Sequence, residues 1–261
     1  MNDPAVSNIL HEVRDRVLVL RIHRPEKKNA LTQAMYGALG DHIRKADADA
    51  SIRALVITGS ADLFTSGNDI KDFLAATGGS FDNTATANFM LSLYEFHKPA
   101  IAAVNGLAIG IGTTLLLHCD LAYAGESAKF QMPFVNIGIA PEFCSTYLLP
   151  AMLGHRRAAE LILTGDTFDA KKALACGLVN EVLPDAKCFD HAFAMAQKLA
   201  AQPPQSLRLA KKLLRDSIDA PMKESFKREV EALTRQLQGP EALEAMTAFM
   251  QKRKPDFSEF G

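Results

Sequence analysis

Residues 100–125, AIAAVNGLAIGIGTTLLLHCDLAYAG, are the stretch on which the interpretation of the fold depends. From Ala100 to Cys119 they carry no Asp, Glu, Lys or Arg over about the length of a membrane span. However, Asn105, several glycines, two threonines and His118 interrupt the apolar run. Glycines and polar residues at these intervals favour a buried strand, a glycine-rich loop and a buried helix over a membrane helix.

The glycine-rich loop, NGLAIGIGTTL (105–115), does not match a nucleotide-binding motif. A dinucleotide fingerprint requires G-x-G-x-x-G, but Leu115 stands where the third glycine after Gly110 and Gly112 belongs, and no Lys is present for a phosphate loop. Glycines before a helix leave backbone N–H groups that point outward and can hold an anion or a developing oxyanion. The loop therefore predicts a site of backbone donors.

A second loop, FTSGNDIKDF (64–73), follows the apolar run RALVITG (53–59). Its core, Ser66 to Asp69, favours a tight turn in which Asn or Asp begins the next helix. An ordinary capped loop between a strand and a helix explains this pattern by itself. If the fold brings both loops to one place, they can present backbone donors together.

The composition describes an ordinary folded protein. Of 261 residues, 48% are apolar and 23% are charged, and the formal net charge of −1 provides no field to attract nucleic acid or an anionic membrane. Trp is absent and only four Tyr are present, so few aromatic side chains can stack on bases. We expect neither a nucleic-acid nor a membrane partner.

The cysteines and histidines form no recognisable pairs. The four cysteines lack C-x-x-C spacing and predict free thiols in a reducing compartment. The N-terminus lacks the pattern of a signal peptide, so we expect a cytoplasmic protein. HEVRD (11–15) lacks the second His of a zinc helix, and GESAK (125–129) lacks the final Gly of a nucleophile elbow. His118 is interpreted as a core or capping residue, and no metal is expected.

The order of elements predicts an α/β protein. Strands are expected at 16–22, 53–59, 100–104, 121–125, 128–132 and 177–183. One helix is expected after Thr32 as its N-cap. Further helices are expected at 143–153, 155–164, 169–176, 187–201, 204–218, 221–237 and 240–253. The prediction is an α/β core over residues 1–200, followed by a helical region over 201–261.

One carboxylate, Glu142, lies in the apolar and small-residue segment VNIGIAPEFCST (135–146). An ionised carboxylate is rarely buried without a partner, because its desolvation costs several kcal/mol. Two interpretations remain at this point. Glu142 caps a helix that begins near Phe143, where the helix dipole favours a negative charge, or it is a functional acid.

Several segments together resemble the crotonase, or enoyl-CoA hydratase/isomerase, superfamily, in matching order over roughly residues 10–255. They are HRPEKKNALT (23–32), FTSGNDIKDF (64–73), residues 102–142 and TGDTFDAKKALACGLVNEV (164–182). The resemblance implies a spiral of β-β-α turns, a helical C-terminal trimerisation region and an acyl-CoA thioester substrate. It implies no further cofactor, because coenzyme A is part of the substrate, and a homotrimer or dimer of trimers.

The resemblance also implies the positions of the site. The two backbone N–H groups that hold the thioester oxygen in this family fall on Asn68 and Ile111. The turn around Asn68 is implied to line the coenzyme A pocket, with the residues Ser66, Gly67, Asn68, Asp69 and Ile70.

The sequence departs from the hydratase pattern at both catalytic carboxylates. Thr114 and Phe134 stand at the two positions where hydratases carry Glu. Glu142, eight residues beyond Phe134, is the acid that remains in this neighbourhood. The combination of SGND with APEFCST resembles the peroxisomal-type Δ3,Δ2-enoyl-CoA isomerase branch, although Phe143 replaces a glycine of that branch.

A single carboxylate suits double-bond isomerisation, because one base can take a proton from C2 and return it at C4 without a bound water. We therefore expect conversion of 3-enoyl-CoA to 2-enoyl-CoA with Glu142 as the catalytic base. Two alternatives remain open. The chain is a hydratase-like or hydrolytic crotonase-type enzyme, or it is a catalytically silent oligomer that binds coenzyme A.

Overall fold

The computed structural model describes residues 8–60, 62–72, 81 and 84–261. The strands are β1 (Ile9–Arg14), β2 (Val17–Ile22), β3 (Ala54–Thr58), β4 (Leu63–Thr65), β5 (Ala100–Val104), β6 (Leu107–Ile109), β7 (Leu121–Gly125), β8 (Lys129–Gln131), β9 (Phe168–Asp169) and β10 (Glu181–Leu183). The helices are α1 (Gln33–Ala48), α2 (Ala85–Tyr94), α3 (Ile111–Thr114), α4 (Ser145–Leu153), α5 (His155–Thr164), α6 (Ala170–Ala175), α7 (Asp185–Ala200), α8 (Pro204–Gln236) and α9 (Pro240–Met250).

Two sheets form the body of the protein. The larger has the strand order β1-β2-β3-β5-β7-β10, and only the β1–β2 pair at its edge is antiparallel. Every residue of β3 and β5 is buried, which is why both segments are continuous apolar runs that predict buried parallel strands. The smaller sheet has the order β4-β6-β8-β9, with β8 and β9 antiparallel.

The smaller sheet was missed in part, because its strands are very short. β4 and β6 have three residues each and lie in segments that predict turns. They pair in parallel, with Thr65 opposite Ala108. Parallel strands end at the same edge of a sheet, so this register places the two loops of the sequence analysis, after Thr65 and after Ile109, next to each other.

The helical predictions hold with one correction. Thr32 caps α1 by accepting a hydrogen bond from the backbone N–H of Met35 at 3.3 Å, as predicted. The two helices predicted at 204–218 and 221–237 are a single helix, α8, that continues through Pro221. Pro221 is exposed, and buried side chains on both sides of it hold the helix against the body, so tertiary packing overrides the local preference of proline.

The core closes around both sheets. A large apolar cluster fills the space between the smaller sheet, α1, α2 and the inner face of the larger sheet. A second cluster forms where α7 covers the opposite face of the larger sheet. The result is a mixed α/β body with a helical C-terminal region, as predicted. Within the described ranges, no helix combines the length and the apolar character needed to cross a lipid bilayer.

Candidate active site

The two predicted loops are in direct contact, and glycine makes the contact possible. Gly67 has φ = +87°, a conformation that favours glycine, and a Cβ atom built there would lie 2.9 Å from the carbonyl oxygen of Ile109. On the other loop, a Cβ on Gly112 would lie 2.6 Å from Cγ2 of Thr65. The loop after β4 and the loop after β6 therefore form one surface.

On this surface, two backbone N–H groups lack an acceptor among the described residues and can therefore bind a ligand. Their neighbours are occupied: Gly67 N–H donates to Oγ1 of Thr65 at 3.1 Å, and Gly110 N–H donates to the Gln131 carbonyl at 2.9 Å. The N–H groups of Asn68 and Ile111 donate to no acceptor in the part of the chain that the structure describes. These are the two donors that the resemblance implies for a thioester oxygen.

The turn that carries Asn68 is fixed from the side of α1. Leu31 brackets it, since its N–H donates to the Gly67 carbonyl and its own carbonyl accepts from Asp69 N–H, both at 2.8 Å. The hydroxyl of buried Tyr36 donates to Oδ1 of Asn68 at 2.5 Å. The donor at Asn68 is therefore held by both main-chain and side-chain contacts.

The remaining residues predicted for the coenzyme A pocket lie beside this donor. Gly67 is buried, whereas the other four residues are partly exposed: Ser66, Asn68, Asp69 and Ile70. Asp69 pairs with Arg24 at 2.8 Å and accepts a hydrogen bond from Asp72 N–H at 3.3 Å, so it begins the next helical turn as predicted. The described residues were also compared with the requirements of a metal site. Within the described ranges, no group of three or more His, Cys, Asp or Glu side chains is placed to hold a metal ion.

Glu142 is buried and is connected through Thr114 to the short helix that carries the other donor. Its side chain is 7% exposed, and its Oε1 accepts a hydrogen bond from the hydroxyl of Thr114, the last residue of α3. Ile111 is the first residue of the same short helix, so α3 links the base to the donor. Oε2 of Glu142 receives no hydrogen bond from any residue that the structure describes.

The surroundings of Glu142 change its ionisation. Burial raises the pKa of Glu142 from 4.5 to about 8, the hydrogen bond from Thr114 acts in the opposite direction, and the charge of Glu229 raises it further. A carboxyl group with a pKa near 8 can accept and return a proton near neutral pH. The site thus combines one carboxylate of raised pKa with two backbone N–H donors.

The capping interpretation of Glu142 does not agree with the structure. The helix that follows, α4, begins at Ser145, and the Glu142 side chain points to Thr114 instead of to the helix N–H groups. The carboxylate at that helix end comes from Glu229 on α8, which accepts from Cys144 N–H at 2.6 Å and from Thr146 N–H at 2.9 Å.

Glu229 is absent from the predicted site residues, although its place in the sequence indicates a buried acid. It lies on the face of α8 that also buries Met222, Ser225, Val230 and Leu233, at helical spacing. An acidic residue on the buried face of an amphipathic helix requires hydrogen-bond donors from another part of the chain.

Two aromatic residues close to Glu142 in the sequence, Phe134 and Phe143, are buried. Phe134 stands at the second hydratase carboxylate position. The ring of Phe143 stacks on that of His118 with 3.7 Å between centroids, and Nε2 of His118 lies 2.8 Å from the Phe143 carbonyl oxygen. Burial lowers the pKa of His118 to about 3, so this ring is neutral and donates through Nε2. His118 is a core residue, as predicted.

Comparison with known proteins identifies relatives over nearly the whole chain. The chain is 34% identical to 2,3-dehydroadipyl-CoA hydratase of Escherichia coli over 252 residues, which are 97% of this chain and 99% of the relative. It is also 34% identical to enoyl-CoA delta isomerase 2 of Rattus norvegicus over 241 residues, 90% of this chain but only 61% of that longer relative. The two relatives carry names for different reactions.

A solved structure shares the fold. The structure of Pseudomonas aeruginosa OdaA superposes with a TM-score of 0.91 at 44% identity and covers 93% of this chain and 98% of its own. The sequence profile of the enoyl-CoA hydratase/isomerase family matches residues 12–260. A match over nearly the full length, together with the shared fold, shows that this chain belongs to the enoyl-CoA hydratase/isomerase family and has the crotonase fold.

Proposed function

We propose that this protein is a Δ3,Δ2-enoyl-CoA isomerase in which Glu142 is the catalytic base. One observation carries the proposal. Buried Glu142 is hydrogen-bonded to the short helix α3, which begins at the Ile111 donor, and the Asn68 donor lies on the adjoining turn; among the described residues, neither donor nor Oε2 of Glu142 has a hydrogen-bond partner. Family membership supplies the substrate class, an acyl-CoA thioester.

The reaction divides into two proton transfers. Oε2 of Glu142 removes a proton from C2 of the 3-enoyl thioester, and the electron pair moves onto the thioester oxygen, which the N–H groups of Asn68 and Ile111 hold. The resulting dienolate takes the same proton back from Glu142 at C4, so the double bond moves from C3 to C2. Losing one such oxyanion donor typically costs roughly 3–4 kcal/mol in the barrier.

The hydrogen bond from Thr114 explains how one carboxylate can serve both carbons. It holds Oε1 of Glu142 and leaves Oε2 as the oxygen that exchanges the proton. The base therefore needs no rotation between the two transfers. Phe134 and Phe143 are buried, and neither side chain carries a polar group that could position a water molecule for hydration.

A hydratase remains the second candidate, because the 2,3-dehydroadipyl-CoA hydratase relative matches over 97% of this chain and 99% of its own length. Hydration needs a positioned water, which hydratases in this family hold with two carboxylates. Here the two corresponding positions are Thr114 and Phe134, and the Thr114 hydroxyl is already bonded to Glu142. The isomerase is therefore the better match to the site.

We further propose that Ser66 to Ile70 contact coenzyme A and that the chain forms a homotrimer or a dimer of trimers. Exposed apolar side chains on the C-terminal helices support the assembly, since a subunit interface would remove their apolar surface from water. They are Leu209, Leu213 and Leu214 on α8 and Leu243, Phe249 and Met250 on α9. The division into a core of residues 1–200 and an oligomerisation region of 201–261 belongs to this proposal.

The test is an assay with two substrates. Incubation with 3-enoyl-CoA is expected to give the conjugated 2-enoyl thioester, followed by its ultraviolet absorbance, with little 3-hydroxyacyl-CoA from 2-enoyl-CoA. A hydration rate equal to or above the isomerisation rate would favour the hydratase. Binding of acyl-CoA without either product would identify a catalytically silent protein.

A further inference from the structure

Glu229 is a buried carboxylate on α8. It is far from Glu142 in the sequence but contacts the segment that follows Glu142. Its Oε2 accepts from Cys144 N–H at 2.6 Å, and its Oε1 accepts from Thr146 N–H at 2.9 Å and from the Thr146 hydroxyl at 2.5 Å. Ser225 Oγ adds a longer contact at 3.4 Å. Four donors on one side chain favour its ionised form.

These contacts hold a backbone turn that is unfavourable in isolation. Phe143 and Cys144 both have φ = 58°, in the left-handed region, which is unfavourable for residues other than glycine. Glu229 fixes the turn on one side through Cys144 N–H. His118 fixes it on the other side through the carbonyl of Phe143, at 2.8 Å. Such a conformation persists only where its surroundings over-determine it.

Glu142 is the residue immediately before this turn, so the direction of its side chain depends on the turn. Its backbone carbonyl also accepts from Ser145 N–H at 3.2 Å, across the two left-handed residues. We propose that Glu229 is a positioning residue for the reaction: by fixing the Phe143–Cys144 turn, helix α8 orients the Glu142 carboxylate toward the substrate. This inference rests on the proposed role of Glu142 as the base.

Glu229 is also placed to affect the ionisation of the base. Among the described residues, Glu142 interacts electrostatically with Tyr36 from α1, Cys144 from the turn and Glu229 from α8. Burial raises the pKa of Tyr36 well above 10 and that of Cys144 to about 12, so both are uncharged at neutral pH. Burial raises the pKa of Glu229 too, and its hydrogen bonds from Thr146, Cys144 and Ser225 oppose this rise. Removal of the Glu229 charge therefore lowers the pKa of Glu142.

The experiment compares Glu229→Gln with Glu231→Gln, which removes a carboxylate from an exposed position of the same helix. Gln keeps the size of the side chain but cannot accept from both Cys144 N–H and the Thr146 donors. We expect Glu229→Gln to lower kcat for 3-enoyl-CoA by roughly 10–100-fold with a smaller change in KM. The midpoint of its kcat–pH profile moves to lower pH, whereas Glu231→Gln changes neither.

Two further measurements keep the outcome decisive. Thr146→Val removes one hydroxyl donor, and we expect a smaller loss of kcat in the same direction; if Glu229→Gln does not fold, this variant decides. The free energy of unfolding is also measured as a function of pH for the parent and for Glu142→Gln, and the difference between the two is taken at each pH. The same difference is then measured in the Glu229→Gln background. It reports the pKa of Glu142 without any turnover.

The outcomes separate the two proposals. If the parent does not isomerise, the proposed function fails, and the unfolding measurements still test whether Glu229 controls the pKa of Glu142. If the parent isomerises but Glu229→Gln keeps both kcat and the pH midpoint, the positioning role is wrong. A loss of kcat with an unchanged midpoint in both measurements also overturns it, because a purely structural defect gives that result.

Discussion

The two halves of the candidate site are built in different ways. The donors at Asn68 and Ile111 follow directly from short-range features, namely a glycine turn after each of two paired strands. The base at Glu142 depends on contacts with residues that are distant in sequence, Thr114 and, through the following turn, Glu229. Oxyanion stabilisation is thus a property of local backbone geometry in this chain, whereas the proton transfer depends on tertiary packing.

The largest expected loss of activity follows from substitution of the base, Glu142. Glu142→Gln keeps the hydrogen bond with Thr114 but removes the proton acceptor, so we expect isomerisation to fall by at least roughly 10²–10⁴-fold, the usual value of a general base. Acyl-CoA affinity, measured by calorimetry, should change little, because the turn from Ser66 to Ile70 is untouched. Undiminished turnover would remove Glu142 from the mechanism.

The next largest loss of activity is expected when a backbone donor is displaced. Gly67→Ala introduces a Cβ 2.9 Å from the Ile109 carbonyl oxygen at φ = +87° and displaces the Asn68 N–H, so kcat should fall by roughly 10²–10³-fold. Gly177→Ala is the matched control, since Gly177 has φ = +70° with no atom within 4 Å of the added Cβ. Equal activity losses in the two variants would show that backbone strain alone is responsible.

The pH dependence distinguishes base from donors. Because the Glu142 pKa is about 8, the fraction of free enzyme with an ionised base falls tenfold for each pH unit below that value, and kcat/KM should follow. The midpoint should remain near 8 in Gly67→Ala, which alters only the donors. A flat profile between pH 6 and 9 would contradict an ionisable base with this pKa.

The same ionisation has a consequence for stability. The folded-state pKa of Glu142 lies above its unfolded value of 4.5, so the folded state binds more protons between pH 4.5 and 8 and loses stability as the pH rises through that range. Relative to Glu142→Gln, the parent should lose on the order of a few kcal/mol of unfolding free energy across this interval. Chemical denaturation at pH 5 and pH 8.5 measures the difference.

The smallest expected effect concerns the side chain of Asn68. Tyr36→Phe removes the hydrogen bond from the phenol to Asn68 Oδ1 without changing the ring, so we expect about a 5–10-fold lower kcat, equivalent to roughly 1 kcal/mol. The pH midpoint should not move. A shift of the midpoint would show that Tyr36 acts on Glu142 instead of on the donor turn.

Much of the fold was predictable because apolar runs of the larger sheet are buried on both faces. The strands at β3 and β5 and the helix capped by Thr32 were predicted within a residue or two. The three-residue strands β4 and β6 were not, since their pairing depends on contacts across the chain and not on local pattern. Continuity of α8 through Pro221 was likewise decided by packing.

For the candidate site, the segments that form it were predictable from the sequence, but the contacts between them were not. The two glycine loops and Glu142 were each predicted to have a role, and the roles themselves stay predictions. The contact between Thr114 and Glu142, and the carboxylate of Glu229 at the start of α4, join residues 28 and 85 positions apart. No periodicity or spacing rule relates residues at such distances.

The contact between Thr114 and Glu142 limits how this scaffold can change its chemistry. A carboxylate introduced at position 114 would stand against the existing one, and two acids at hydrogen-bond distance cannot both ionise. A Thr114→Glu exchange therefore does not simply restore a two-acid site. A change from the one-acid isomerase site to a two-acid hydratase site would therefore also require Glu142 to be moved or replaced. The two sites are alternatives on this backbone.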